Sequence, residues 1–197
     1  MSFVLGLTGS IGMGKSTTAA MFAAEGAAVW DADAAVHRLY AMDGAAVPAV
    51  AAAFPGAILD GAVSRERLKS ALAADPDALP VLERIVHPLV AADRAAFLAA
   101  TSAEVVVIDV PLLYETGIDA LCDATAVVST THDLQRARVL ARPGMTGAQL
   151  DAILLRQMPD AEKRARATWV IDTTTLDGAR AAVRAIMAEI RERPSDA

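Results

Sequence analysis

Gly9-Ser10-Ile11-Gly12-Met13-Gly14-Lys15-Ser16 fits the pattern G-x-x-x-x-G-K-S/T, a loop that cradles phosphate. Its flanks are those the loop needs. Phe3 to Thr8 is short, apolar and rich in strand formers, and Thr17 to Glu25 is alanine-rich and reads as a helix. The glycines let successive backbone N–H groups turn inward on an anion. The helix N-terminus adds its partial positive charge. Gly9, Gly12, Met13, Gly14, Lys15, Ser16 and Thr17 are therefore the expected nucleotide-phosphate site. Lys15 can reach the β- and γ-phosphates of ATP, and the Ser16 hydroxyl can ligate Mg2+.

Outward from the loop, Ala28-Val29-Trp30 reads as a second strand closing at Asp31-Ala32-Asp33, with a helix over Ala34 to Ala41. Two carboxylates at the end of a strand stand where open α/β sheets hold ligands. Asp also caps helices well. Both readings hold if one caps and the other faces the site; Asp33 is assigned to the site. From Val47 to Thr101 no strand is evident. Helices are expected over Val47–Phe54, from a Ser64 cap to Ala73, over Asp77–Val86, and over Pro88–Ala100 with Pro88 in its first turn. Pro55-Gly56 and Asp60-Gly61 are turns.

Glu104 to Asp109 is a third strand, apolar through its middle like a buried parallel strand. Asp109 closes it where a Walker-B-type acid would lie. It either holds a Mg2+-bound water or caps the next turn. Ala126 to Ser129 is a fourth strand. A basic segment, Gln135 to Gly144, follows, in which Arg138 and Arg142 share a helix face. Pro143-Gly144 ends that helix, and a second runs from Thr146 to Gln157. Helix, tight turn, helix with arginines at the tip is how a lid is built; the competing reading is a solvated arginine face. Trp169 to Asp172 is a fifth strand, Asp177 to Arg193 an amphipathic helix, and Pro194 to Ala197 a frayed tail.

Five strands alternating with helices predict an α/β fold, a mainly parallel five-stranded sheet with helices on both faces. Right-handed crossovers then bring the strand ends to one edge. The 197 residues, 54% hydrophobic, suffice for one domain with a small insert. Charge is 18 basic against 24 acidic, net −6, without a Lys/Arg block, so no nucleic-acid surface is expected. The single cysteine, Cys122, excludes an intramolecular disulfide and reads as a small buried hydrophobe. No signal peptide and no apolar span of about 18 residues is present, so a soluble, cytoplasmic protein without a membrane partner is expected. The chain contains no asparagine, which removes the Asn-Lys-x-Asp guanine reader, and it has no D-x-x-G. A switch GTPase is thereby excluded. A kinase, a non-kinase ATPase and an ATP-binding regulatory module remain. Asp33 and Arg142 favour the kinase, since pure binding needs neither a base nor a second cation. Trp30, Tyr40 and Trp169 read as core.

The chain also resembles the dephospho-CoA kinase family. The resemblance runs through Leu7 to Thr17, Asp31-Ala32-Asp33, Asp60-Gly61 with Arg65 and Leu68, and Leu82-Glu83 with His87-Pro88. It continues in Asp109-Val110-Pro111-Leu112-Leu113-Tyr114-Glu115, in Gln135, Arg138 and Arg142, and in Gln157. It implies transfer of the ATP γ-phosphoryl group to the ribose 3′-hydroxyl of dephospho-CoA, with Mg2+ and no obligate protein partner. It further implies one kinase domain: a core over about 1–33, 104–134 and 158–193, a helical acceptor-binding insert over about 34–103 and a lid over about 135–157. In this picture Asp33, Lys15 and Arg142 are catalytic, and Arg138 either assists Arg142 or bridges the lid helices. Arg65, His87, Leu113 and Glu115, with Asp33, bind the acceptor; Ser16 and Asp109 serve the metal. Some positions depart from the family's usual pattern: Ser10 replaces a glycine, Ser64 an acid, Thr168 an aspartate, and Asp172-Thr173-Thr174 a stretch that commonly carries asparagine. The region of Thr168 and Thr173 is the one expected near adenine, where backbone groups would read the base.

Overall fold

The computed structural model describes residues 2–75 and 77–193. Phe3–Thr8 forms β1, the middle strand of a five-stranded sheet. On one side lies β5 (Val105–Asp109) and beyond it β2 (Ala28–Asp31). On the other lie β6 (Ala124–Ser129) and β7 (Trp169–Asp172). β1 pairs in parallel with both neighbours, Leu7 opposite Asp109 and Ala126, and β6 pairs in parallel with β7. This is the mainly parallel sheet expected. The chain leaves β1 first for one side of the sheet and later for the other, so the carboxyl end of β1 is a switch point where such sheets bind ligands. All residues of β5 and β6 are buried, which accounts for their continuous apolar runs.

The chain gathers into two compact units, one of residues up to Trp30 and from Ser102 on, the other of Asp31–Thr101. In the first, α1 (Lys15–Ala24), through Phe22, and α9 (Leu176–Glu192) pack on the sheet over Leu5, Leu7, Val128 and Ile171. α9 buries Ala179, Val183, Ile186, Met187 and Ile190, the spacing of one helical face. The same unit holds α6 (His132–Leu140), α7 (Gly147–Leu154) and α8 (Asp160–Arg166). Trp30 is buried, whereas Trp169 packs at the core's margin with its Nε1 donating to Glu189 at 2.9 Å. Cys122 is half-buried; a Cβ on Gly6 would sit 2.8 Å from its Sγ.

The second unit contains α2 (Ala32–Tyr40), α3 (Val47–Ala53), a short antiparallel hairpin of β3 (Ile58–Leu59) and β4 (Ala62–Val63), α4 (Arg65–Ala74) and α5 (Ala78–Ala100). Its own core includes Leu39, Tyr40, Val50, Leu68, Leu82 and Val86. Two expectations are corrected. The hairpin is a strand pair where none was expected, because its strands are two residues long and carry no alternation. The two helices expected around Pro88 are one helix of 23 residues with Pro88 inside it. Pro88 cannot donate to the Arg84 carbonyl. Buried Leu82 and Val86 before it, and Leu89 and Val90 packed after it, hold the axis across the missing bond. The tail at 194–197 lies outside the described residues.

Candidate active site

The loop between β1 and α1 is shaped by its glycines. Gly12 and Gly14 have φ of 79° and 90°, a region that L side chains rarely adopt. Gly9 is required for a different reason: a Cβ there would lie 2.3 Å from Val128 Cγ2, so β1 could not end against β6. α1 has Gly14 as its N-cap, no side-chain cap and no acidic residue in its first turn. Its free amides and the positive end of its dipole are thus offered to an anion. Ser16 and Thr17 are exposed on that turn. Met13 is buried, and its N–H donates to the Ser10 carbonyl at 3.1 Å, so neither its side chain nor its amide is offered to phosphate in this arrangement.

Lys15 does not extend into open solvent. Its Nζ lies 2.6 Å from Asp109 Oδ1, with the lysine side chain 13% exposed and the aspartate 0%. Asp109 thus has a partner that neither sequence reading gave it. The strand register brings the two together, because β5 runs beside β1 and ends level with it.

Around the loop, Gln135 Nε2 donates to the Ile11 carbonyl at 2.7 Å, and the Ile11 N–H donates to Gln157 Oε1 at 3.1 Å. Thr173 Oγ1 donates to the Met13 carbonyl at 2.7 Å. Arg138 donates to the Thr173 carbonyl at 2.7 Å, which ties α6 to the end of β7. The link between α6 and α7 is made instead by Arg136 and Asp151 at 3.5 Å. Arg142 is exposed and has no ion-pair or side-chain hydrogen-bond partner among the described residues. Thr168 is not beside Thr173. It precedes β7 and accepts from the Thr125 N–H at the far end of the sheet, so its expected place near adenine is corrected.

Glu115 is already engaged. Its Oε1 accepts from the Met158 N–H at 2.7 Å and from Lys163 Nζ at 2.9 Å. Lys163 is fully buried and also donates to the Pro111 carbonyl at 3.0 Å; that carbonyl accepts from Thr8 Oγ1 too. Burial by itself would raise the Glu115 carboxyl, but these hydrogen bonds and the lysine charge outweigh it and hold it below the usual range. Leu113 is 0% exposed and packs over Gly6, so its side chain belongs to the core and offers no exposed surface to an acceptor. The sequence gives Gln135, Gln157 and Lys163 no role in building the site, and it places Thr173 near adenine rather than against the loop. The two glutamines carried a signal in the resemblance, but Lys163 lies in a charged run, Glu162 to Arg166, with nothing to single it out.

In the second unit, Asp31 is the N-cap of α2, its Oδ1 accepting from the Ala34 N–H at 2.7 Å. Asp33 is exposed in the first turn, without a cap to make. Arg65 opens α4, capped by Ser64, and its charge opposes the rise that burial imposes on the Tyr40 phenol. His87 is exposed on α5 and lines an open concavity of about 710 Å³ with Glu83 and Arg84.

The donor set suits a magnesium ion that arrives with its nucleotide. Among the described residues no group of three or more His, Cys, Asp or Glu is placed to hold a metal. Ser16 supplies one hard oxygen beside the free amides, and Mg2+ characteristically takes one or two protein oxygens, substrate phosphates and water.

A family model described as dephospho-CoA kinase matches residues 3–177. The chain is 63% identical over 190 residues to the dephospho-CoA kinase of Cereibacter sphaeroides, covering 96% of each chain. It is 59% identical over 191 residues to that of Ruegeria pomeroyi, covering 97% of each. The crystal structure of TT1252 from Thermus thermophilus matches with a TM-score of 0.84 at 33% identity, over 95% of this chain and 97% of that one. The phosphate loop, its buried acid and the paired glutamines thus stand within a likeness that runs almost from end to end, and the chain belongs to the dephospho-CoA kinase family.

Proposed function

We propose that this chain transfers the γ-phosphoryl group of ATP to the ribose 3′-hydroxyl of dephospho-CoA. The observation that carries the reading is the phosphate loop, with an uncapped helix N-terminus and a lysine held at its mouth, in a kinase of this family. The free amides of the loop and Lys15 hold the β- and γ-phosphates. Lys15 exchanges the Asp109 carboxylate for phosphate oxygens of similar charge. Asp33 accepts a hydrogen bond from the 3′-hydroxyl and orients it in line with the γ-phosphorus. The oxygen–phosphorus bond to the acceptor forms as the bond to ADP breaks, and the hydroxyl proton passes to Asp33 or to water. Arg142, which has no side-chain partner to give up among the described residues, closes on the leaving phosphates. Residues 135–157 act as the lid, and Arg65 and His87 contact the acceptor. Ser16 is the protein ligand of Mg2+, which neutralises phosphate charge when bound; Asp109 acts on the lysine. Positioning and charge stabilisation account for most of such a reaction. For Glu115 the hydrogen bonds to Met158 and Lys163 support a role in holding the site's frame rather than touching the acceptor.

ADP release measured with dephospho-CoA, adenosine, AMP or shikimate tests the reading. Release that depends on dephospho-CoA is expected. Equal rates with and without it would mean a P-loop ATPase.

A further inference from the structure

We propose that Gln135 and Gln157 are positioning residues that clamp Ile11 and so fix the phosphate loop before nucleotide arrives. The proposal rests on reading residues 9–16 as the ATP phosphate loop. Gln135 donates to the Ile11 carbonyl at 2.7 Å, and Gln157 accepts from the Ile11 N–H at 3.1 Å. The amide orientations follow from the partners, since a carbonyl only accepts and an N–H only donates. Ile11 precedes Gly12, whose backbone freedom leaves the loop little rigidity of its own. Gripping both backbone groups of Ile11 removes that freedom in advance, which is how preorganised donors gain strength.

Each glutamine is itself held. Gln135 is 4% exposed, and the loop packs directly on it: a Cβ on Gly12 would lie 3.0 Å from the Gln135 carbonyl. Gln157 is followed by Met158, whose N–H is bound by Glu115. The two glutamines also bracket α6 and α7, one lying in α6 and the other following α7. Both limbs of this helical segment therefore converge on one loop residue, and a shift of the loop is felt at both.

The opposite polarities give a crossed test. Gln157→Glu keeps an acceptor for the Ile11 N–H, whereas Gln135→Glu sets a carboxylate against the Ile11 carbonyl, and both add the same charge. Amide exchange at Ile11 is measured in the ligand-free protein, with KM for ATP, kcat and Tm alongside. Gln157→Met is expected to accelerate Ile11 exchange about tenfold, the scale of one lost hydrogen bond. Gln135→Met and Gln157→Met should each raise KM for ATP by about 3- to 10-fold, and the double variant by less than the product. Gln157→Glu should retain Ile11 protection and Gln135→Glu should not. Unchanged KM with lowered Tm alone would make the glutamines merely structural and overturn the proposal. So would equal Ile11 exchange in the two glutamate variants, or unprotected Ile11 in the wild type should the variants not fold. A protected Ile11 in a protein without dephospho-CoA-dependent turnover would leave the clamp standing and remove the kinase reading.

Discussion

Lys15 and Asp109 form an ion pair of 2.6 Å at the carboxyl edge of the sheet, one from the first turn of α1 and the other from the last position of β5. The aspartate is fully buried, so the lysine proposed to hold phosphate is also the counter-charge of an interior acid. On that proposal catalysis and stability are joined in one side chain.

Lys15→Met is therefore expected to lower kcat about 10²-fold or more, the scale of losing a preorganised donor. It should also cost stability on the order of 3 kcal/mol, because it strips the cation from a buried carboxylate. Adding Asp109→Asn should restore most of the stability and none of the activity. Urea unfolding and turnover on the single and double variants check both. Wild-type turnover in Lys15→Met would show that this is not the working loop.

Asp31 and Asp33 should separate in the same way. Asp31 caps α2 through the Ala34 N–H, and Asp31→Ala is expected to cost about 1 kcal/mol with little change in mechanism. Asp33→Asn keeps the shape, removes the basicity and should lower kcat roughly 10²- to 10⁴-fold while ATP still binds. A nearly normal Asp33→Asn would remove Asp33 from the chemistry.

Glu115 sets an acid limit. Its carboxyl lies below the ordinary 4.5, held there by Met158 and Lys163 against the effect of burial. A depressed carboxyl contributes stability that is present above the unfolded value and lost as pH falls through the folded one. Glu115→Gln should therefore be less stable than wild type near pH 7, and the gap should close as pH falls below about 4.5. A gap independent of pH would show that Lys163 does not depend on this charge.

Arg142 and Arg138 are expected to behave differently: Arg138 lies in α6, whereas Arg142 follows the end of that helix at Leu140 and does not share its face as the spacing predicts. Arg142→Ala should lower kcat about 10²-fold and leave Tm unchanged, since its guanidinium has no partner among the described residues to lose. Arg138→Ala should lower Tm, because Arg138 holds the Thr173 carbonyl. ATP with dephospho-CoA should slow hydrogen exchange over residues 135–145. Unaltered exchange throughout 135–157 would reduce these arginines to a solvated face.

The phosphate loop was legible because everything it needs is contiguous: strand, glycines, lysine and helix within Phe3 to Glu25. The same holds for β5 and β6, whose apolar runs report burial on both faces. What pairs with what was not legible. The donor and acceptor on Ile11 come from 124 and 146 residues away, and glutamine, equally at home on a surface, carries no mark of such a use. Lys163 stands among the charges of Glu162 to Arg166 with nothing to single it out until the fold buries it against Glu115 and Pro111.

By itself the sequence determined the loop, the α/β class and the family likeness, because these rest on local backbone chemistry and on residue types at short spacing. Only the tertiary structure decided that Asp109 holds the lysine, that Leu113 is core, that Glu115 braces a buried ammonium and that Pro88 lies within one helix. Those outcomes depend on strand register and on which side chains lose their water, and neither quantity is a property of a stretch read alone.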